Sequence, residues 1–308
     1  MPSVLFIGDV NVDLILGGLE SPPLLDREIT CSSFTLTMGS SVAITAANYA
    51  GLGGSASVAG LAGQDEYGRF MIEAMKRRGI DTSLIRTTSE VKTGVTVNLI
   101  YGGTRTQITY PGAIARFEDT SEVEANLARF THVHFSGVYQ QHRLRPKITK
   151  LLDRVRASGG TLSLDPQWDP RESWETLGEW LPRLDYFFVN ADEARSITGE
   201  TDELKAVGRL AESTRCPICK LGPLGVAAVA EGAELRVPTF RVPVVDTTGA
   251  GDAFAAGFLF ARLEKGMGTR DALRFGNAVA ARNCMGEGGV NACPPYEEIL
   301  RFMESKGE

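Results

Sequence analysis

No stretch of the 308 residues approaches the roughly 18 uninterrupted apolar positions that a membrane span requires. The opening "MPSVLFIGDVNVD" has no basic segment and its apolar run stops at Asp9, so a secretory signal is not expected and the cytoplasm is the expected compartment. A surplus of basic residues is also missing. The net charge is -6, and no basic stripe exists to displace counterions from phosphates, which argues against a nucleic-acid partner. Cysteine is sparse: five residues, an odd number without framework spacing, suit reduced thiols. The single CxxC (Cys216, Cys219) lies in an apolar run with no second pair to share a zinc ion, so buried, inert thiols are expected. There is no G-x-x-x-x-G-K-[ST], which excludes a P-loop enzyme, and the protein-kinase signatures are absent. "GLGGSA" (51–56) satisfies G-x-G-x-x-A but follows a helix and opens a strand, the reverse of a dinucleotide fingerprint.

What is present reads as a large α/β protein. The chain is 43% hydrophobic and 23% charged, as ordinary globular proteins are. Short apolar runs such as "VLFIGDV", "HVHFSGV", "TLSLDPQ", "YFFVN", "PICKL" and "GVAAVA" alternate with helical patterns, as in a parallel sheet. "SSVAITAANYAGLG" predicts a serine-capped helix, and "DEYGRFMIEAMKRRGI" an amphipathic one with its basic residues at the C-terminal end. Two segments break the rhythm. Residues 13–39 carry turn residues without a helical period, and 93–113 read as a hairpin around Gly-Gly. The expectation is one domain over 1–308: a central, mostly parallel sheet flanked by helices on both faces, with a small β-sheet appendage from these two segments. Ordinary edge strands would be the plainer alternative.

The stretch "VPVVDTTGAGDAFAAGF" (242–258) concentrates the chemistry. A strand end runs through Thr-Thr-Gly-Ala-Gly into a helix apolar around most of its circumference, hence buried. Gly249, Ala250 and Gly251 leave little side chain in the way, and their N–H groups, with that of Asp252, converge where the helix dipole is positive. That is an anion hole suited to a phosphoryl group. Asp252 at its mouth reads equally as a helix cap or as a base that takes a proton from an attacking hydroxyl.

The segment "DTTGAGDAFAAGFL" resembles the C-terminal signature of the ribokinase-like (PfkB-type) carbohydrate kinases. Five further stretches resemble that family in its own order: "GDVNVDLI", "AGQDEYGRFM", "NADEARSITG", "KLGPLGVAAV" and "FGNAVAARNCMGEGGV". The resemblance covers nearly the whole chain and implies ATP-dependent phosphorylation of a small carbohydrate hydroxyl. It implies Asp252 as general base, with Gly249, Ala250 and Gly251 as the anion hole. Asn190 and Glu193 would organise Mg2+ and its waters around the nucleotide, although Asn followed three residues later by Glu is also a capping box. Lys220, Gly222, Gly225 and Asn277 would border ATP. Asp246 and Thr248 match positions where relatives bind K+; turn-forming residues would look the same. Asn11 and Asp13 would contact the sugar, the β segments would form a lid over it, and the lid would offer a homodimer interface.

The chain departs from the family at "MGSSVAIT". Met38 replaces a hinge glycine and Ala43 a sugar-binding asparagine, which leaves Gly39, Ser40 and Ser41 as candidate contacts and Asn48 a turn away. Arg105 on the hairpin reads either as a contact to an acidic substrate or as an exposed strand charge. Gln140 and Gln141 follow a strand and suit a neutral sugar, whereas Arg171 in "LDPQWDPR" only loosely fits the arginine of acidic-sugar kinases. Two rivals stand beside the sugar kinase. A nucleoside kinase would use Phe34, Tyr101 and Tyr110 as an aromatic clamp; a sugar-sensing relative would lack turnover.

Overall fold

The computed structural model describes residues 3–102, 104–286, 288–290 and 294–306. Its thirteen strands sort into two sheets. β1 (Ser3–Ile7) opens the main sheet, and β2 (Asn11–Leu19) with β3 (Ser33–Met38) leaves it for the second. β4 (Ser55–Gly63) and β5 (Asp81–Thr88) return to the first, and β6 (Gly94–Tyr101) and β7 (Thr104–Tyr110) complete the second. The remainder stay in the main sheet: β8 (His132–Ser136), β9 (Thr161–Asp165), β10 (Tyr186–Asn190), β11 (Pro217–Lys220), β12 (Val226–Ala230) and β13 (Ala233–Val237). The main sheet runs β13-β12-β11-β10-β9-β8-β1-β4-β5, parallel except for the antiparallel β12 and β13 at one edge. The second sheet runs β3-β2-β6-β7 and is mixed, because β2 pairs with β6 in parallel.

Among the described residues ten helices cover the main sheet. α1 (Ser41–Gly51) and α2 (Glu66–Arg77) lie on one face. α3 (Ser121–Asn126), α4 (Ile148–Ala157), α5 (Leu177–Trp180), α6 (Ala191–Thr198) and α7 (Glu203–Ala211) lie on the other. α8 (Ala250–Leu263), α9 (Thr269–Asn283) and α10 (Tyr296–Ser305) return to the first. Each face has its own buried core, one built around Phe6, Tyr49, Phe188 and Phe258, the other around Phe135, Phe187 and Trp180. β8 carries two fully buried histidines. His132 is satisfied by Thr161 Oγ1 and Ser163 Oγ across the strand pair, and the Nδ1 of His134 meets the same Ser163, all at 2.7 Å. Burial holds both rings well below the usual histidine range, so they sit neutral in the core.

Two strands lie outside the sequence expectation, β5 and β13, and these are the two edges of the main sheet. Both carry charged, exposed residues that blunt an unpaired edge and erase the apolar run by which inner strands announce themselves. Cys216 and Cys219 are buried and burial pushes each thiol up to about 12, as inert thiols would be. Among the described residues no helix is long and apolar enough to cross a membrane.

Candidate active site

α8 begins where the main sheet and the second sheet face each other. Its N-cap is Gly249, held in the left-handed region at φ 68°, where an added Cβ would come within 2.7 Å of Gly289 Cα and 2.9 Å of Ile44. Only glycine makes that turn without strain. The seven residues from Asp246 to Asp252 form a partition between two cavities. Thr247, Ala250 and Gly251 line one of about 520 Å³; Thr248, Gly249 and Asp252 line another of about 170 Å³. Fewer amides stand free at this turn than the sequence suggests. The Ala250 N–H is spent on the Thr247 carbonyl (3.2 Å), so the amides that the first helical turn leaves without an intrahelical acceptor are those of Gly251 and Asp252. Lys220 Nζ reaches the same point, 3.2 Å from where a side chain on Gly251 would begin.

The larger cavity is an apolar slot between β11, the turn after it, and the helices α8 and α9. Phe240, Val242, Val244 and Ala280 form its walls, and Gly222, Gly225, Lys220 and Asn277 border it. Asn277 plays a wall-building role: its Nδ2 donates to the carbonyls of Val237 and Pro238, both at 3.1 Å, fixing the chain that leaves β13.

The smaller cavity is polar. Strand alternation explains why: Asn11, Asp13, Thr96, Gln107 and Thr109 fall on one face of the second sheet and point into it. They are already knit together. Asn11 Nδ2 donates to Thr96 Oγ1 (3.2 Å) and Asp13 Oδ1 (3.4 Å), and Thr96 and Thr109 share a hydrogen bond of 3.1 Å. Gly39 is required by this pair, since a Cβ there would lie 2.3 Å from Asp13 Oδ1 and 2.8 Å from Asn11 Nδ2. Gln140 lines the pocket, as do Ser40, Ser41 and Gln167.

Several sequence candidates have other work. The Ser40 hydroxyl caps α1, accepting from Ala43 N at 3.0 Å while donating to the Asp9 carbonyl at 2.6 Å. Gln141 is fully buried and its amide closes the turn after β8 onto the carbonyls of Ser136 and Gly137. Met38 ends β3 opposite Val12 in the core, and Ala43 is fully buried on α1, so neither side chain reaches the pocket as a sugar ligand. Asn48 ties α1 to the Gly289 carbonyl at 3.0 Å. Phe34 and Tyr110 are exposed, and neither they nor Tyr101 line the polar pocket. Arg105 pairs through its backbone with Ile100, but its side chain lies outside the described residues. Arg171 is exposed on the rim of an adjoining cavity of about 530 Å³, together with Trp168 and Arg145.

Charge is concentrated beneath the partition. Burial, then the neighbouring Asp165 carboxylate, pushes the Asp252 carboxyl up to about 8. Burial alone would lower Lys220, but the Asp165 carboxylate 2.5 Å from its Nζ, together with Glu193 and Asp252, more than reverses this and keeps the ammonium charged. Glu193 is pushed up to about 7 by burial and by Asp165, against the pull of Lys220. Asp165 was invisible as a site residue in the sequence; the only signal is an aspartate ending an otherwise apolar strand. Asn190 and Glu193 form a complete capping box on α6, Asn190 Oδ1 accepting from the Glu193 amide (2.9 Å) and Glu193 Oε2 from the Asn190 amide (2.8 Å). They line neither cavity. Asp246 accepts from the Thr248 amide and hydroxyl, both at 2.8 Å, and from Gly288 N at 2.9 Å, which braces the loop before α8.

Comparison with known proteins agrees with this geometry. The family model described as pfkB family carbohydrate kinase matches residues 1–295. An ATP-dependent ribose-1-phosphate kinase from Halopiger xanaduensis is 29% identical over 315 residues, covering 99% of each chain. A 2-dehydro-3-deoxygluconokinase from Bacillus subtilis is 28% identical over 258 residues, covering 79% of each. The fold matches that of an E. coli protein named ribokinase II and crystallised with ATP and Mg2+: TM-score 0.86, 23% identity, 99% of this chain and 100% of the other.

Proposed function

The chain belongs to the pfkB family of carbohydrate kinases, and from that premise we propose how its two cavities divide the work of ATP-dependent sugar phosphorylation. It is an ATP-dependent sugar kinase. The observation that carries the assignment of roles is the partition at the start of α8, with an apolar slot on one side and a small hydroxyl-rich pocket on the other. ATP would lie in the slot, its base against Phe240 and Ala280 and its γ-phosphate at the amides of Gly251 and Asp252. The sugar would lie in the polar pocket against Asn11, Asp13 and Gln140.

Asp252 faces the sugar side and is the base. As the acceptor oxygen attacks phosphorus, its proton passes to the Asp252 carboxylate, the new O–P bond forms, the bond from γ-phosphorus to the bridging oxygen breaks, and ADP leaves. The Gly251 and Asp252 amides and the Lys220 ammonium stabilise charge on the transferred group. Magnesium supplies charge neutralisation between the nucleotide phosphates. Glu193, through water, and Asn190 would hold it: burial and then Asp165 push the Glu193 carboxyl up, and a nearby cation would favour its ionised form. Among the described residues no three His, Cys, Asp or Glu side chains form a metal cluster, so phosphates and water would supply most ligands. Potassium at the Asp246–Thr248 loop is a separate proposal, read by comparing turnover in potassium and tetramethylammonium salts; no step here depends on it.

A pocket of about 170 Å³ without an aromatic wall favours a bare sugar over a nucleoside. An intact Asp252 beside free amides favours an enzyme over a sensor. The test is ADP release with ATP and magnesium across neutral sugars, sugar acids, sugar phosphates and nucleosides. Turnover on one sugar class is expected. Turnover confined to nucleosides would overturn the acceptor assignment, and sugars that raise the melting temperature without any turnover would mark a sensor.

A further inference from the structure

Ser41, the first residue of α1, lines the polar pocket and is the hub of a hydrogen-bond network. Its Oγ lies 2.5 Å from Asp252 Oδ1, 2.6 Å from Ser136 Oγ and 3.1 Å from Gln167 Nε2. A hydroxyl has one proton to give and two lone pairs to receive with. Gln167 Nε2 can only donate, and an ionised carboxylate can only accept. When Asp252 is ionised, the proton of Ser41 therefore goes to it, and Ser136, which is fully buried, must donate to Ser41. The framework around the hub is fixed. The Ser41 amide donates to Asp9 Oδ2 (3.1 Å), its carbonyl accepts from Thr45 Oγ1 (2.8 Å), and Gln167 is held at φ 57° with a second contact to Asp165 Oδ1 (3.3 Å).

We propose that Ser41 is a positioning residue for the phosphoryl-transfer base: oriented by Gln167 and Ser136, its hydroxyl fastens Oδ1 of Asp252 and leaves Oδ2 to the acceptor. This rests on the reading of Asp252 as base. The groups facing Asp252 are Asp165 from β9, Lys220 from β11, Asp9 from the end of β1, and Ser41 from α1. Asp165 and Asp9 oppose its ionisation. Lys220 favours it but is already paired to Asp165, so among the described residues the Ser41 hydroxyl is the neutral side-chain donor held on the carboxylate. Its loss leaves a buried carboxylate both freer to rotate and harder to ionise.

The experiment has a readout that needs no acceptor. The side-chain carboxyl of Asp252 is followed by 13C NMR through a pH titration of aspartate-labelled protein, its signal assigned with Asp252→Asn. Ser41→Ala is expected to raise the titration midpoint by about one unit, and Ser41→Thr, which keeps the hydroxyl, to leave it near the wild-type value. Ser136→Ala, which removes the group that orients Ser41, should shift the midpoint the same way by less, and serves if Ser41→Ala does not fold. In turnover, Ser41→Ala should lose about 10-fold in kcat/KM at pH 7 and less than about 3-fold at pH 9.5, because alkali restores the ionised base. Midpoints unchanged in both alanine variants would overturn the proposal. A wild-type-like kcat in Asp252→Asn would instead overturn the base assignment while the titration still reported on Ser41.

Discussion

Asp252 meets two opposing demands. Burial makes its ionised form costly, yet the proposed base role needs that form, and a carboxyl pushed up to about 8 sits near the optimum for a base working at neutral pH. In the free enzyme kcat/KM should therefore rise with pH and level off above about 8, whereas a profile flat from pH 6 to 9 would contradict this. The sign for stability is the reverse. A carboxyl raised above its unfolded value adds stability that is complete below pH 4 and is lost as pH rises through about 8. Asp252→Asn escapes that loss, so its melting temperature should gain on the wild type by several degrees between pH 5 and pH 9. The Lys220–Asp165 pair sets a second test. Lys220→Met leaves Asp165 buried without its cation and should cost about 3–5 kcal/mol. Adding Asp165→Asn should return most of the stability and none of the activity, as thermal melts and ADP release would read. Asp252 and Lys220 could be singled out from the sequence because they stand next to glycines and strand ends. Asp165 could not, because its importance comes from a partner 55 residues away; Ser41 could be read only as a sugar contact, because its bond to Asp252 joins residues 211 apart.

The elements were legible in proportion to their burial. α8 is apolar on nearly every face because α1, α9 and the main sheet surround it, and its small residues admit that packing: a Cβ on Gly257 would lie 2.8 Å from Val279. Buried helices and inner strands follow from such patterns; the charged edge strands β5 and β13 do not. α2 shows how a cap does more than start a helix. Asp65 accepts from Gly68 N (2.9 Å) and also from Thr93 N (2.8 Å) and Thr93 Oγ1 (2.7 Å), pinning the helix to the residue before β6. Asp65→Ala should lose the cap and strand these donors, costing about 2 kcal/mol by urea unfolding and raising the acceptor KM more than the KM for ATP. Equal effects on both would mean that the cap does not steer the second sheet.

The molecule as a whole is a large sheet that would hold the nucleotide side and a small sheet that would cover the sugar. The small sheet has two unlike faces. One carries Asn11, Asp13, Thr96 and Thr109 into the pocket; the other carries Phe34 and Ile108, 62% and 59% exposed, outward. Apolar residues on the solvent side of a mixed sheet need a cover, and a second copy of the chain is the proposed one. Ile108→Glu should then turn a dimer into monomers in sedimentation; a wild-type chain that is monomeric at micromolar concentration would contradict it. The resemblance to relatives conveyed the two-sheet plan, but not the identity of the sugar, because the altered Met38 and Ala43 positions are core residues here. The central claim is the division of labour at the start of α8, and the decisive measurement is steady-state kinetics of Asp252→Asn with the acceptor that the wild type turns over. The account predicts kcat lower by about 10³-fold or more, with the KM for ATP and for the acceptor each within about threefold. A variant that keeps kcat within tenfold, or that loses ATP binding instead, would contradict it.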